Sequence, residues 1–125
     1  MRILIIDSNL VFAKEVGKFL EQHVLDVKAD YATTVPVLKR RLRNHEYNFI
    51  IADIFNAFDC KGLQDVLEYI NIPMIIWSIV KRPSDLHNHF YNKILSRVFV
   101  KPQTYEDLQS VMSSVSSSVL PSIKV

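Results

Sequence analysis

Four short apolar runs, separated by segments with helical periodicity, constrain the fold of this chain more than any other feature of its sequence. They occupy residues 3–6, 49–52, 74–77 and 98–100. Each has the length of a strand, and uninterrupted runs rich in β-branched or aromatic residues are typical of strands buried on both faces of a parallel sheet. Residues 25–31 alternate apolar and polar side chains instead, which indicates a half-exposed strand at the edge of the sheet.

Amphipathic helices are predicted between and after these strands. Apolar residues recur at helical spacing in five segments, residues 12–20, 35–42, 63–70, 86–94 and 108–119. A strand followed by a helix, repeated along the chain, predicts an α/β fold with a parallel sheet covered by helices on both faces. Because the alternating strand is second in the chain and belongs at an edge, we expect a doubly wound five-stranded parallel sheet with the strand order 2-1-3-4-5.

The size and composition of the chain exclude several classes of protein. Its 125 residues are enough for one domain, which we place at residues 1–120 with a C-terminal tail at 121–125. Only two glycines are present, too few for a Gly-rich phosphate loop, and a net charge of +2 gives no reason to expect DNA binding. A single cysteine, and no apolar run approaching about 18 residues, indicate a reduced cytoplasmic protein with no membrane segment.

Polar side chains stand at the ends of four predicted strands. Asp7 follows the first strand, Asp53 and Ser78 end the third and fourth, and Lys101 follows the fifth. The carboxyl ends of parallel strands lie at one rim of the sheet, where ligands bind. Two neighbouring carboxylates repel each other and favour a bound cation, and Mg²⁺ prefers such oxygen ligands. A carboxylate can also accept a phosphoryl group, whose oxygens a lysine and a serine hydroxyl can contact.

In this order and register, the four residues resemble the phosphorylation site of the receiver domain of two-component response regulators. The resemblance covers nearly the whole chain, residues 2–120. It implies the flavodoxin-like receiver fold and a signalling role rather than an enzyme. A histidine kinase or phosphotransfer protein would supply the phosphoryl group, and a downstream protein or a homodimer would be regulated. The surface that changes would lie around the fourth helix, fifth strand and fifth helix, including Tyr91.

The resemblance also implies a role for each residue of the site. Asp53 would be the phosphoacceptor, and Ser78 the switch hydroxyl that moves toward the phosphoryl group. Lys101 would contact a phosphoryl oxygen, and the peptide bond that follows it would be cis. Asp7, Asp53 and the backbone carbonyl of Phe55 would bind the cofactor, Mg²⁺.

Several positions depart from the receiver pattern. Ser8 stands where the family has a second acid that is normally a metal ligand, so we expect weak Mg²⁺ binding. Ile79 replaces a small residue after the switch hydroxyl, and Val98 replaces an aromatic switch residue. These differences predict an atypical receiver that is weakly phosphorylated. They leave one alternative open, a pseudo-receiver that binds a partner without phosphotransfer, in which Lys101 would pair with Asp53 for stability alone.

Two further classes fit the sequence less well. A haloacid-dehalogenase-like phosphatase would have a second aspartate two residues after the first, and this chain has Asn9 there. A flavin-binding flavodoxin-like protein would need a phosphate-binding loop rich in Ser, Thr or Gly after the first strand, and residues 7–10 are not such a loop. The basic residues at 39–43 are interpreted as the solvated face of the second helix, and Cys60 as an incidental thiol.

Overall fold

The computed structural model describes residues 1–24, 26–53, 59–78 and 98–118, and in this part strands and helices alternate from Arg2 to Ser78. The strands are β1 (Arg2–Ile6), β2 (Lys28–Ala32), β3 (Phe49–Asp53), β4 (Met74–Ser78) and β5 (Val98–Val100). The helices are α1 (Leu10–His23), α2 (Val35–Asn44), α3 (Cys60–Leu67) and α4 (Tyr105–Ser118). The helix expected over residues 86–94 lies outside the described residues, as do Phe55, Ile79 and Tyr91.

The described strands form one parallel sheet in the order β2-β1-β3-β4-β5. This confirms the doubly wound arrangement, and it confirms that the alternating strand lies at an edge. In the sheet register Asp53 pairs with Trp77, and Ser78 pairs with Val100. The carboxyl ends of neighbouring strands therefore lie level with one another at one rim.

The edge strand begins later than its sequence pattern indicates. The alternation starts at residue 25, but β2 starts at Lys28. Asp26 has a φ angle of 58°, in the left-handed region, which interrupts a strand and which Asp tolerates better than most residues. The amino group of Met1 donates to the carbonyl oxygen of Asp26 at 2.7 Å, and the N–H of Lys28 donates to the carbonyl of Met1 at 2.9 Å. The turn before β2 is thus held by the amino terminus of β1.

The sheet separates two apolar cores. One lies against α1 and α4 and includes Ile3, Ile5, Val16, Leu20, Phe49, Ile51, Trp77, Leu108 and Met112. The other lies against α2 and α3 and includes Leu4, Ile6, Leu38, Ile50, Leu63, Leu67 and Ile76. Successive residues of a strand point to opposite faces. Because both faces of the central strands are covered, the positions between their ends are apolar, which explains the uninterrupted runs in the sequence.

The helices of the described ranges are those of a sheet-covering α/β fold. None of them is at once long enough and apolar enough to cross a membrane.

Candidate functional site

Three charged side chains meet at the carboxyl rim of the sheet. Asp7 follows β1 directly, Asp53 is the last residue of β3, and Lys101 follows β5 directly. In the register of β1 with β3, Ile6 pairs with Ala52, so the two aspartates that come next are neighbours. The all-parallel topology is what brings residues from three distant parts of the chain to one place. We call Asp7, Asp53 and Lys101 the ion triad.

The lysine of the ion triad contacts both acids. Its Nζ atom lies 2.6 Å from Oδ2 of Asp53, to which it donates a hydrogen bond, and 2.9 Å from Oδ2 of Asp7. The side chains of Asp7 and Asp53 are each 1% exposed, and that of Lys101 is 12% exposed. Charges at this depth are poorly hydrated, so each depends on its protein partners for stabilisation.

The start of α1 also contributes to the site. The N–H of Asn9 donates to Oδ1 of Asp7 at 2.8 Å, and Oδ1 of Asn9 in turn accepts from the N–H of Phe12 at 3.2 Å. Asn9 is therefore the N-cap of α1, satisfying a backbone donor that the first turn leaves without a partner. The same residue links the first turn of the helix to one acid of the triad.

Burial and pairing act in opposite directions on the pKa values of Asp7 and Lys101. Burial raises the pKa of Asp7 above its ordinary 3.8, the contacts with Lys101 and with the N–H of Asn9 only partly oppose this, and the charge of Asp53 adds to it. Burial alone would lower the pKa of Lys101, but its contacts with the two acids outweigh that effect and hold its pKa above 10.5. Lys101 is therefore cationic at neutral pH. With both acids ionised, the triad carries one net negative charge.

That residual charge and one oxygen atom make the site suitable for a hard cation. Oδ2 of Asp7 is fully buried and accepts no hydrogen bond from the residues that the structure describes; its contact with Lys101 is an ion pair. Mg²⁺ is commonly held by one or two carboxylates and keeps several waters, so Asp7 and Asp53 are a donor set that fits it. In the described ranges no larger cluster of His, Cys, Asp or Glu side chains is placed to hold a metal ion.

The other predicted site residues have mixed outcomes. Ser8 is exposed next to Asp7 and brings no charge to the site. Ser78 ends β4 at the same rim, beside Val100 of β5, but its side chain is not among the described groups. The carbonyl of Phe55 lies outside the described residues. The expectation of a cis bond after Lys101 is wrong, since the described peptide bonds are all trans, the isomer that an X–Pro bond also favours by about 0.5–1 kcal/mol.

One contact of the site was not anticipated from the sequence. Phe12 belongs by its spacing to the apolar stripe of α1, yet its ring centroid lies 4.5 Å from Nζ of Lys101, within cation–π range. The side chain is half-buried rather than buried. Its place in the first helical turn after β1 puts it at the rim, and that position is the only sequence signal for the contact.

Comparison with known proteins supports the fold at low sequence identity. The chain is similar to a response regulator receiver domain (CheY-like) from Methylobacillus flagellatus, with a TM-score of 0.66 and 19% identity over 92% of this chain and 98% of the other. It is also similar to a two-component response regulator from Clostridium difficile, with a TM-score of 0.63 and 15% identity over 94% and 97% of the two chains.

A third solved structure is the isolated REC domain of RcsB from Salmonella enterica serovar Typhimurium, in the presence of phosphomimetic BeF3-. It has a TM-score of 0.61 and 15% identity over 94% of this chain and 89% of the other. No protein-family model matches the sequence, and neither does any curated protein. The likeness to these structures shows that the chain has the fold of a response regulator receiver domain.

Proposed function

We propose that this chain is a signalling receiver that accepts a phosphoryl group on Asp53 and regulates a partner protein, a phosphoacceptor domain rather than an enzyme. The observation that carries the proposal is the ion triad: a buried carboxylate ends β3, with the Lys101 ammonium 2.6 Å away and a second carboxylate beside it. The receiver fold supports it, because this rim is where ligands bind in a doubly wound sheet. We propose a histidine kinase or a phosphotransfer protein as the donor.

In the proposed reaction Asp53 is the nucleophile. A carboxylate oxygen of Asp53 forms a bond to phosphorus as the bond between phosphorus and the imidazole nitrogen of the donor histidine breaks. The leaving nitrogen keeps the electron pair of the broken bond and takes a proton from water, so the imidazole leaves as the neutral base. The product is an aspartyl phosphate, whose phosphoryl oxygens carry two negative charges where the carboxylate of Asp53 carried one, in a site that already holds Asp7.

Lys101 stabilises that added charge. Its ammonium is already held against Asp53, so its positive charge does not have to be brought in during the reaction. Asp7 and Asp53 would hold Mg²⁺, which supplies positive charge toward the transferring oxygens when it is bound. With Ser8 in place of a second acid at this point of the chain, we propose weak Mg²⁺ binding and slow phosphorylation.

The proposed output follows from the position of Ser78. It ends β4 at the rim that holds the triad, so its hydroxyl is assigned the role of responding to a phosphoryl group on Asp53. The signal would then reach the surface that adjoins β5 and α4, where a downstream protein or a second copy would bind. The pairing of Ser78 with Val100, which is half exposed, supports a connection from the site to that surface.

The direct test is the intact mass of the protein after incubation with acetyl phosphate and Mg²⁺. We expect one phosphoryl adduct that hydroxylamine removes, present on the parent chain and absent from Asp53→Asn. An adduct that persists in Asp53→Asn, or no adduct at any donor concentration with or without Mg²⁺, contradicts phosphotransfer to Asp53.

A pseudo-receiver is the second candidate, and the contacts of Lys101 favour it. The lysine reaches both acids of the triad, so the buried carboxylates have a counter-charge without a metal ion. In that case the fold binds a partner in its unphosphorylated state. Titration with Mg²⁺, followed by the fluorescence of Trp77 beside Asp53 in the sheet, separates the two candidates, since a pseudo-receiver would show no Mg²⁺-dependent change.

A further inference from the structure

The first turn of α1 and the ion triad form a closed chain of contacts. Asp7 accepts from the N–H of Asn9, and the side chain of Asn9 accepts from the N–H of Phe12. The ring of Phe12 lies 4.5 Å from Nζ of Lys101, and that ammonium returns to Asp7 at 2.9 Å. The cap that starts the helix therefore also sets where the ring of Phe12 stands relative to the lysine.

The ring is placed where the ammonium needs a partner. An ammonium has three N–H donors, and that of Lys101 donates one hydrogen bond, to Asp53, and forms an ion pair with Asp7. Lys101 is only 12% exposed, so water provides little further stabilisation. The face of an aromatic ring attracts a cation, and this attraction is stronger in desolvated surroundings than at the surface. An aliphatic residue at position 12 could fill the same space but would offer no such attraction.

The ring of Phe12 also packs against the apolar core on the α1 side of the sheet. It borders a small pocket between α1 and the segment after β5, together with Pro102, Tyr105 and Leu108. Pro102 directly follows Lys101 and is buried. The ring of Phe12 thus lies beside the segment that carries the lysine.

We propose that Phe12 is a positioning residue of the site, whose ring holds the Lys101 ammonium against Asp53 and Asp7 in the geometry that phosphoryl transfer to Asp53 needs. The inference rests on the proposed function for its effect on rate. The placement of the lysine by the ring can be measured without any phosphorylation. Phe12 acts through Lys101 and touches no reacting atom.

The placement is tested by nuclear magnetic resonance. An aromatic ring shifts protons that lie over its face upfield, so the ε-methylene protons of Lys101 should resonate upfield of the other lysines in the parent. In Phe12→Leu we expect that shift to disappear, and in Phe12→Tyr to persist. If the Lys101 resonances are the same in the parent and in Phe12→Leu, the ring does not hold the lysine and the proposal is overturned.

The effect on the reaction is tested by the rate of phosphorylation with acetyl phosphate. Phe12→Leu should be roughly three- to tenfold slower than the parent, the range expected for loss of one partly desolvated cation–π contact. Fluorinated phenylalanines at position 12 keep the shape of the ring while withdrawing charge from its face. The rate should fall stepwise as fluorines are added, whereas a residue needed only for packing would show no such series.

The matched control is the same set of substitutions at Phe19, on the same helix. Its ring packs against His23 and Tyr105, so fluorination there should leave the rate unchanged. A rate that is insensitive to fluorination at Phe12, or equally sensitive at Phe19, overturns the proposal. If the parent takes up no phosphoryl group, the proposed function fails, and the resonances of Lys101 still decide whether Phe12 positions it.

Discussion

Removal of the Lys101 ammonium should destabilise the fold as well as impair the site. In Lys101→Met the apolar stem is retained and only the charge is lost. Asp7 and Asp53, each 1% exposed, would then face each other with no cation, because this ammonium lies 2.9 Å and 2.6 Å from their oxygens. Two neighbouring buried carboxylates repel each other, and burial raises the pKa of Asp7, which disfavours its ionised form.

The decrease in the free energy of unfolding of Lys101→Met can be estimated from this geometry. Breaking a buried ion pair by removing one partner costs about 3–5 kcal/mol, and we take about 3 kcal/mol because Lys101 is not fully buried. In a domain of this size 1 kcal/mol corresponds to roughly 4 °C in Tm. The free energy of unfolding should therefore fall by about 3 kcal/mol and the Tm by about 12 °C. Lys14→Met, at an exposed lysine of α1, is the control and should lie within about 0.5 kcal/mol of the parent.

The pH dependence of the stability difference between the parent and Lys101→Met identifies the cause of the destabilisation. Because the pKa of Lys101 is raised above 10.5, its contribution is complete at neutral pH and is lost only as the pH rises through the raised value. On the acidic side, protonation of Asp7, whose pKa burial raises, removes the repulsion between the two acids, so the difference between parent and Lys101→Met should shrink. Addition of Asp7→Asn to Lys101→Met should recover at least about 1 kcal/mol. Urea unfolding of the four chains measures these quantities, and a neutral or stabilising Lys101→Met would refute the reasoning.

Three further perturbations test neighbouring parts of the structure. Asp7→Asn should raise the free energy of unfolding by about 1 kcal/mol at neutral pH. Burial raises the pKa of Asp7 above 3.8, so the parent loses stability as the pH rises from 3.8 through the raised pKa, and a urea-unfolding pH series on the variant should lack this loss. Asn9→Ala should cost about 1 kcal/mol in urea unfolding by removing the cap on the N–H of Phe12, and Asn9→Ser should restore most of it. Burial and the 2.8 Å hydrogen bond to Asp30 raise the pKa of Tyr47 to about 12. The phenolate absorbance that is present in the parent and absent from Tyr47→Phe should therefore titrate near pH 12. Because Tyr47→Phe loses this hydrogen bond, its free energy of unfolding should be about 1 kcal/mol lower than that of the parent.

Local patterns in the chain were sufficient to predict the architecture. Successive residues of a strand face opposite sides of the sheet. A strand covered on both faces is therefore apolar at every interior position, and a half-exposed edge strand alternates apolar and polar residues. The one boundary that differed clearly, the start of β2, depends on the φ angle of Asp26 and on its hydrogen bond with Met1, 25 residues away. A periodicity of side chains carries no information on such a backbone contact.

One part of the candidate site could also be predicted from the sequence, and another part could not. Parallel strands and right-handed connections place the residues that follow them at one rim, so the neighbourhood of Asp7, Asp53 and Lys101 could be predicted from order alone. The sequence does not predict which carboxylate oxygen the ammonium contacts. A lysine has a flexible stem of four carbons, and Lys101 and Asp53 lie 48 residues apart in the chain.

The sequence by itself determined the order of strands and helices and the edge position of β2, because each follows from a repeat of apolar residues a few positions long. It also determined the residue types at the rim, because these are the residues at the ends of the predicted strands. The tertiary structure alone decided that one lysine is held by two acids and by the face of Phe12. Those contacts depend on the angle and distance at which α1 and the segment after β5 pack on the sheet. Side-chain packing over the whole domain sets those quantities.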